Sequence, residues 1–171
     1  MGRVRIISAG LFFLTRVLAV PYLATAIYLI IVFAIKTPFL NIIEDGKRFE
    51  VLYPFTQTPY LLGYNNTFYM LEMIAFIGLC GIFLWLLGNV FQTFREKKLF
   101  TPKSVNRLKT FYLLNFLVPL PILIVHIFFS YEIVMTIFFS LLHIILGIFT
   151  YFMAIIFEQG LHLQNEQDLY I

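Results

Sequence analysis

The sequence predicts an all-α integral membrane protein, a bundle of four transmembrane helices with a small external β-like loop between helices 1 and 2. Hydrophobic residues make up 61% of its 171 residues and charged residues 12%, whereas charged residues are about a quarter of a typical soluble domain. Four runs contain no Asp, Glu, Lys or Arg, and each is long enough to cross a hydrocarbon core of roughly 30 Å. These runs are residues 17–35, 73–94, 110–131 and 133–157.

We therefore expect a single four-span membrane domain over residues 1–171. The predicted spans cover about 17–35, 71–94, 109–130 and 133–157. The segments between and after them are an external loop at 36–69, a cytoplasmic loop at 95–108 and a cytoplasmic tail at 158–171.

The first apolar run is expected to stay in the protein rather than to be removed as a signal peptide. Arg16 interrupts the stretch, and apolar sequence continues from Ile27 to Ile35, whereas the apolar region of a signal peptide is short and uninterrupted. Residues 4–15, ahead of Arg16, are expected to lie along the membrane surface as an amphipathic lead-in helix.

The external loop is predicted to contain a small β element. Apolar and polar residues alternate over residues 47–55, "KRFEVLYPF", which is the period of a strand. Asn65 and Asn66 indicate a turn because Asn tolerates positive φ. We expect the element to lie on the outer leaflet with its aromatic rings at the interface. It is either an aromatic cap without a ligand or a sensory, ligand-binding element.

The basic residues predict the orientation. Nine of the twelve Lys and Arg residues precede the first span or lie between the second and third, and three lie in the external loop. The positive-inside rule then places both termini and the second loop in the cytoplasm. The nine are Arg3, Arg5, Arg16, Arg95, Lys97, Lys98, Lys103, Arg107 and Lys109; the three are Lys36, Lys47 and Arg48.

Small and polar residues within the spans predict helix packing. In the fourth span they recur at spacings of three and four, which places them in one stripe on a helix and favours close approach of a neighbour in lipid. The stripe consists of Ser140, His143, Gly147, Thr150, Ala154 and Glu158, and Gly81 and Gly88 form a second such face in the second span. A substrate pathway is the alternative interpretation.

The sequence offers no chemistry that would name an enzyme. Cys80 is the single cysteine, which excludes a cysteine-pair redox or metal site. His126 and His143 differ in predicted depth by roughly 8 Å, too much for a shared metal or haem. They suit hydrogen-bonded interior histidines, and Asn115 suits an interhelical hydrogen bond. We expect no enzymatic activity, metal, cofactor or direct contact with nucleic acid.

The cytoplasmic loop and the tail are expected to meet. Thr101 followed by Pro102 predicts the start of the third helix. Two spans separate the loop from the acidic tail, so both lie on one side of the membrane. Gly160 either caps the fourth helix or lies within a helix that runs on. The tail docks on the loop's cations, contacts a separate partner, or is free while the cations anchor to anionic lipid.

Two stretches, "LFTPKSVNRLK" and "FEQGLHLQNEQDLYI", resemble the signatures of domain-of-unknown-function family twenty-nine seventy-five, small four-span bacterial membrane proteins. Tyr170 departs from the pattern, which usually has Thr there. The resemblance implies a cell-membrane location, and members are often encoded beside a small helix-turn-helix regulator. The matching residues are Phe100, Thr101, Arg107, Leu108, Glu158, Gly160, Leu161, Leu163, Glu166, Asp168, Leu169 and Ile171.

The hypothesis that follows is a regulatory membrane protein whose cytoplasmic loop and tail engage a cytoplasmic transcription regulator. An oligomeric small transporter or channel subunit is the alternative, and a structural or assembly protein ranks third. The expected partners are the bilayer, the regulator and a second copy of the chain. The candidate partner-binding or tail-docking residues are Arg95, Lys97, Lys98, Thr101, Lys103, Arg107, Glu158, Gly160, Leu161, Leu163, Glu166, Asp168 and Leu169.

Overall fold

The computed structural model describes residues 2–129 and 133–168. The chain is mostly helical, with one small sheet, in the order α1 (Gly2–Ile35), β1 (Leu40–Ile43), β2 (Arg48–Leu52), β3 (Pro59–Tyr64), α2 (Thr67–Arg95), α3 (Pro102–Leu117), α4 (Pro119–Phe129) and α5 (Ile133–Asp168). Four helical segments are long and apolar enough to cross a membrane, as the sequence predicts: Gly2–Ile35, Thr67–Arg95, Pro102–Phe128 and Ile133–Gln167.

Helix α1 is longer than the span expected at 17–35. It runs without a break from Gly2 to Ile35 and includes Pro21, so residues 4–15 do not form the separate surface helix that we expected. No Pro lies between residues 4 and 15, and a single Gly there weakens a helix without ending it.

The third span, expected as one helix, is two. Helix α3 ends at Leu117 and α4 begins at Pro119. Proline lacks a backbone N–H and disfavours the helical conformation of the residue before it, so Pro119 and Pro121 interrupt the ladder of hydrogen bonds here.

Helix α5 passes through Gly160 and continues to Asp168. The alternative in which Gly160 caps this helix is therefore wrong, and the described part of the tail is helical. Leu169 and Ile171 lie outside the described residues, as does the side chain of Asp168.

The chain forms two compact units. The junction unit comprises the described residues of Met1–Phe13 and Leu86–Ile171, and the sheet unit comprises Leu14–Trp85. The junction unit is built mainly on the contact of α3 with α5. Its buried core is Val105, Leu108, Ala154 and Phe157.

The sheet unit contains the predicted β element, a three-stranded antiparallel sheet in the order β1-β2-β3. Phe49 and Val51 of β2 are fully buried against Leu29 and Val32 of α1, so alternate β2 side chains hold the sheet on the helix. Helices α1 and α2 also approach closely in this unit, because a Cβ on Gly81 would lie 2.8 Å from the side chain of Leu23.

Asn65 and Asn66 follow the last strand without positive φ, the conformation for which we expected a turn there. Among the described residues, the non-glycine positions with positive φ are Lys36, Glu44, Asp45 and Phe55. Asn66 Oδ1 instead accepts a hydrogen bond from the Phe68 N–H at 2.8 Å and thereby caps the start of α2. Asn65 Nδ2 donates to the Gly46 carbonyl at 2.8 Å.

Candidate functional site

The start of α3 is fixed by its first residues. Thr101 has extended backbone, with φ −132° and ψ 152°, and its Oγ1 accepts a hydrogen bond from the Ser104 N–H at 3.1 Å. Pro102 follows at the first helical position, where its missing N–H has no helical partner to lose. This start turns Val105 and Leu108 into the core and leaves Lys103 and Asn106 exposed.

Gly160 lets the loop approach the backbone of α5. A Cβ built on Gly160 would lie 2.6 Å from the Phe100 ring, closer than two carbon atoms pack. The Phe100 ring also stands edge-on to Phe157, with ring centroids 5.3 Å apart, and Leu161 is half-buried against the same cluster. The stretches around residues 100–108 and 157–161 thus form one packed junction.

One acidic residue of the tail pairs with α3, but not with a cation that we expected. Glu158 Oε1 lies 2.8 Å from Lys109 Nζ, and both side chains are 38% exposed. Arg107, an expected docking residue, pairs with Glu96 of the loop at 2.7 Å. Among the described residues, Glu158 is the one tail carboxylate in an ion pair, and Glu166 is exposed. Half-exposed pairs contribute about 0–1 kcal/mol, so the apolar contacts dominate the junction.

Two residues of the loop region contact the N-terminal part of α1, Arg95 through its side chain and Lys97 through its backbone carbonyl. The Arg95 guanidinium lies 5.2 Å from the ring centroid of Phe12 and 5.5 Å from that of Phe13. Arg5 donates a hydrogen bond to the Lys97 carbonyl at 3.0 Å. Lys98 and Lys103 have exposed side chains. The expected cationic cluster is therefore divided between packing within the junction unit and an open surface.

A shallow groove of about 270 Å³ lies between α3 and α5. Its apolar side chains are partly those of the junction, and polar and charged groups complete its lining. The lining residues are Pro102, Val105, Asn106, Lys109, Glu158, Leu161 and His162. A groove of this composition suits an apolar side chain flanked by polar groups, as in helix-in-groove recognition.

Sequence reasoning missed Asn106 and His162 as groove residues and Lys109 as the partner of Glu158. Their spacing along the chain could have indicated that they lie beside known site residues, because residues three or four apart share a face of a helix. Asn106 and Lys109 are three apart, and His162 follows Glu158 by four.

The small-residue stripe of α5 faces α3. Ser140, Thr150 and Ala154 are buried, and a Cβ on Gly147 would lie 2.8 Å from the Phe116 ring. Gly88, of the second small-residue face, is also buried.

Hydrogen bonds satisfy polar residues of this stripe, and His126 of α4 bonds within its own helix. His143 Nδ1 lies 2.7 Å from Asn115 Oδ1, and Asn115 Nδ2 donates to the Phe111 carbonyl at 2.8 Å. Thr150 Oγ1 donates to the Leu146 carbonyl at 2.8 Å. His126 Nδ1 lies 3.0 Å from the Ile122 carbonyl of its own helix. The predicted interhelical bond of Asn115 is thus present, with His143 as its partner.

Across residues 2–129 and 133–168, no three His, Cys, Asp or Glu side chains cluster as a metal site would require. Comparison with protein-family models, with curated proteins and with solved structures gives no match. The family resemblance therefore stays a prediction.

Proposed function

We propose that this protein is a multi-pass protein of the bacterial inner membrane, with both termini, the loop after α2 and the end of α5 in the cytoplasm. Its four apolar helices support the membrane location. The excess of Lys and Arg before α1 and between α2 and α3 supports the orientation. The end of α5 and the loop lie on the same side for either orientation, because two spans separate them.

We further propose a regulatory role, in which the cytoplasmic face binds a cytoplasmic transcription regulator of the helix-turn-helix class. The observation that carries this proposal is the groove between α3 and α5, formed by the two stretches that carry the family resemblance. The resemblance suggests the class of partner.

The groove has the features of a preformed binding surface. Packing of Phe100 on Gly160 and the cap at Thr101 hold the backbone of its two walls, which lowers the ordering cost for a partner that binds there. Beyond the groove, α5 presents Leu163, 61% exposed, beside the exposed Glu166. In the proposed complex, this Leu would add apolar contact area beside the groove.

The transporter or channel alternative would be favoured by a polar path along His143 and Thr150. In the structure these side chains bond to Asn115 and to the Leu146 carbonyl. We therefore put forward the regulatory function alone.

The test is site-specific photo-crosslinking in the native membrane. A photoreactive amino acid is placed at Asn106, at His162 or, as a control outside the groove, at Lys47; all three side chains are exposed. We expect Asn106 and His162 to capture a cytoplasmic DNA-binding protein and Lys47 not to do so.

A matched variant sharpens the result. Leu163→Glu in the Asn106 crosslinking background should reduce the yield of the adduct, because it replaces an exposed apolar contact by a charge. Adducts only with lipid or with other copies of this chain, at both groove positions, would contradict the proposal.

A further inference from the structure

The two turns of the sheet differ in charge. The β1–β2 turn, residues 44–47, reads "EDGK", whereas the β2–β3 loop, residues 53–58, reads "YPFTQT" and carries no charge. Such a difference suits a sheet with one end in water and the other in a less polar environment.

Hydrogen bonds show where each turn lies relative to helices α1 and α2. At the charged turn, the Asn65 N–H donates to the Lys47 carbonyl at 2.9 Å, two residues before α2 begins at Thr67. At the uncharged loop, the Tyr60 hydroxyl bonds to the Thr25 hydroxyl of α1. Thr25 precedes the end of α1 at Ile35 by ten residues, or about 15 Å along the helix axis. The uncharged loop therefore points back along the apolar part of α1.

The uncharged loop presents an aromatic ring outwards. Phe55 is 93% exposed and has a φ of 61°, a conformation uncommon for a bulky residue. Its ring meets Phe39 edge-on, with centroids 5.8 Å apart. The half-exposed Tyr53 ring lies against that of Tyr60, with centroids 4.4 Å apart and the ring planes tilted by 44°. The loop thus carries a small aromatic tip with Phe55 at its outermost point.

Several polar groups of the loop, those of Tyr53, Thr56 and Thr58, are bonded within the loop. The Tyr53 N–H donates to the Thr58 carbonyl at 2.9 Å and the Thr56 N–H to the Tyr53 carbonyl at 3.1 Å. Thr56 Oγ1 donates to the Tyr53 carbonyl and accepts from the Thr58 N–H, at 3.1 and 3.2 Å. Internal bonding of this kind lowers the penalty for moving backbone out of water.

We propose that residues 53–58 form a lipid-inserting loop, which places the Phe55 ring among the lipids of the outer leaflet at the boundary of headgroups and acyl chains. This inference rests on the membrane location proposed above and adds a second lipid contact, separate from the spans. Aromatic rings are favoured at that boundary, and the direction of the loop along α1 brings Phe55 there while the charged turn stays in water.

The test is depth-dependent fluorescence quenching. Phe55→Trp is made in a Trp85→Phe background, so that the new indole is the sole one, and the protein is reconstituted into phosphatidylcholine vesicles with acyl chains brominated near the headgroup. We expect blue-shifted emission and loss of most of the fluorescence to the brominated lipid. Because either leaflet can receive the loop, the result does not depend on the orientation of the reconstituted protein.

Tyr64→Trp in the same background is the matched control. Tyr64 is also largely exposed but lies at the end of β3 near the charged turn, so its replacement should respond to aqueous acrylamide rather than to lipid. Equal quenching of the two indoles by acrylamide would contradict the proposal. So would an indole in the Phe55→Trp protein that neither acrylamide nor the brominated lipid quenches, because it would be buried in protein.

Vesicle flotation separates this inference from its premise. If the protein floats with the vesicles but the Phe55→Trp indole is in water, the lipid-inserting loop is contradicted and the membrane location is not. If the protein does not float, both proposals are contradicted. Should the Trp85→Phe background fail to fold, a spin label on Phe55→Cys in Cys80→Ser protein replaces the indole. Greater accessibility to oxygen than to a water-soluble nickel chelate then supports insertion, and the reverse overturns it.

Discussion

At the scale of single residues, Gly160 shows how one missing side chain joins two distant stretches. It lies inside α5, where glycine is unfavourable by about 1 kcal/mol relative to alanine. The Phe100 ring occupies the space that a Cβ would need. The contact with Phe100, rather than the conformation of the backbone, accounts for the glycine.

Gly160→Ala is expected to destabilise the protein. The gain in helix propensity is about 1 kcal/mol, whereas overpacking against a ring typically costs about 1–3 kcal/mol, so we expect a net loss. Thermal unfolding in detergent measures it. Gly10→Ala in α1 is the control, because a Cβ there meets no atom within 4 Å, and it should be neutral or stabilising. Equal stabilisation by both substitutions would contradict the packed junction.

The role of Gly160 could not be predicted from the sequence, for a physical reason. A helix cap and a close approach both require a residue without Cβ, so the sequence around Gly160 suits either. The choice depends on Phe100, sixty residues earlier in the chain, and on the ion pair between Lys109 and Glu158, two residues before the glycine. Only the tertiary contact decides between the two.

At the scale of elements, α3 depends on Thr101, the residue that caps its start. Thr101→Ala removes the side-chain acceptor for the Ser104 N–H and should lower the free energy of unfolding by about 1 kcal/mol, within the range of about 0.5–2 kcal/mol for such caps. Thr101→Ser keeps the acceptor and should retain most of the stability. The apparent melting temperatures of the three proteins, followed by circular dichroism, check this. A serine variant as weak as the alanine variant would mean that the methyl group, not the cap, matters.

Elements with a strong local signal were predictable. The start of α3 followed from Thr101 and Pro102, and β2 followed from alternating residues over 48–52. The strands β1 and β3, "LNII" and "PYLLGY", lack that alternation. Their place in the sheet comes from pairing with β2, which the local sequence does not reveal. The break before Pro119 could have been predicted from the two prolines, Pro119 and Pro121. We predicted one helix instead, because the span was assigned from its lack of charged residues.

At the scale of the whole molecule, the orientation is tested by labelling intact cells with a membrane-impermeant thiol reagent. In a Cys80→Ser background, Lys47→Cys should react, whereas Lys103→Cys and Gln167→Cys should react only after the cells are made permeable. All three positions have exposed side chains, so protein burial does not mimic protection by the membrane. Reaction at Lys103→Cys in intact cells, with none at Lys47→Cys, would reverse the topology.

Composition predicted four helices long and apolar enough to cross a membrane, and the structure has them, because apolar run length and charge are properties of the chain alone. The candidate site was only partly predictable. Gly160 packs on Phe100 and Leu161 lies in the same cluster, but the groove also needs Asn106 and His162. Spacing places each of these two on a face of its own helix and does not pair the two faces. Contacts between α3 and α5 join residues about fifty positions apart, beyond the reach of any periodicity.

The length of α5 gives the molecule a mechanical property. Because the helix continues unbroken from Ile133 to Asp168, it has no hinge between the buried stripe and the groove. A push on His162 would reach Ser140, about 33 Å away at helical rise, as a twist or piston movement of a single rod. A ligand in the proposed groove would therefore contact the same continuous helix that carries the buried Ser140 near its opposite end.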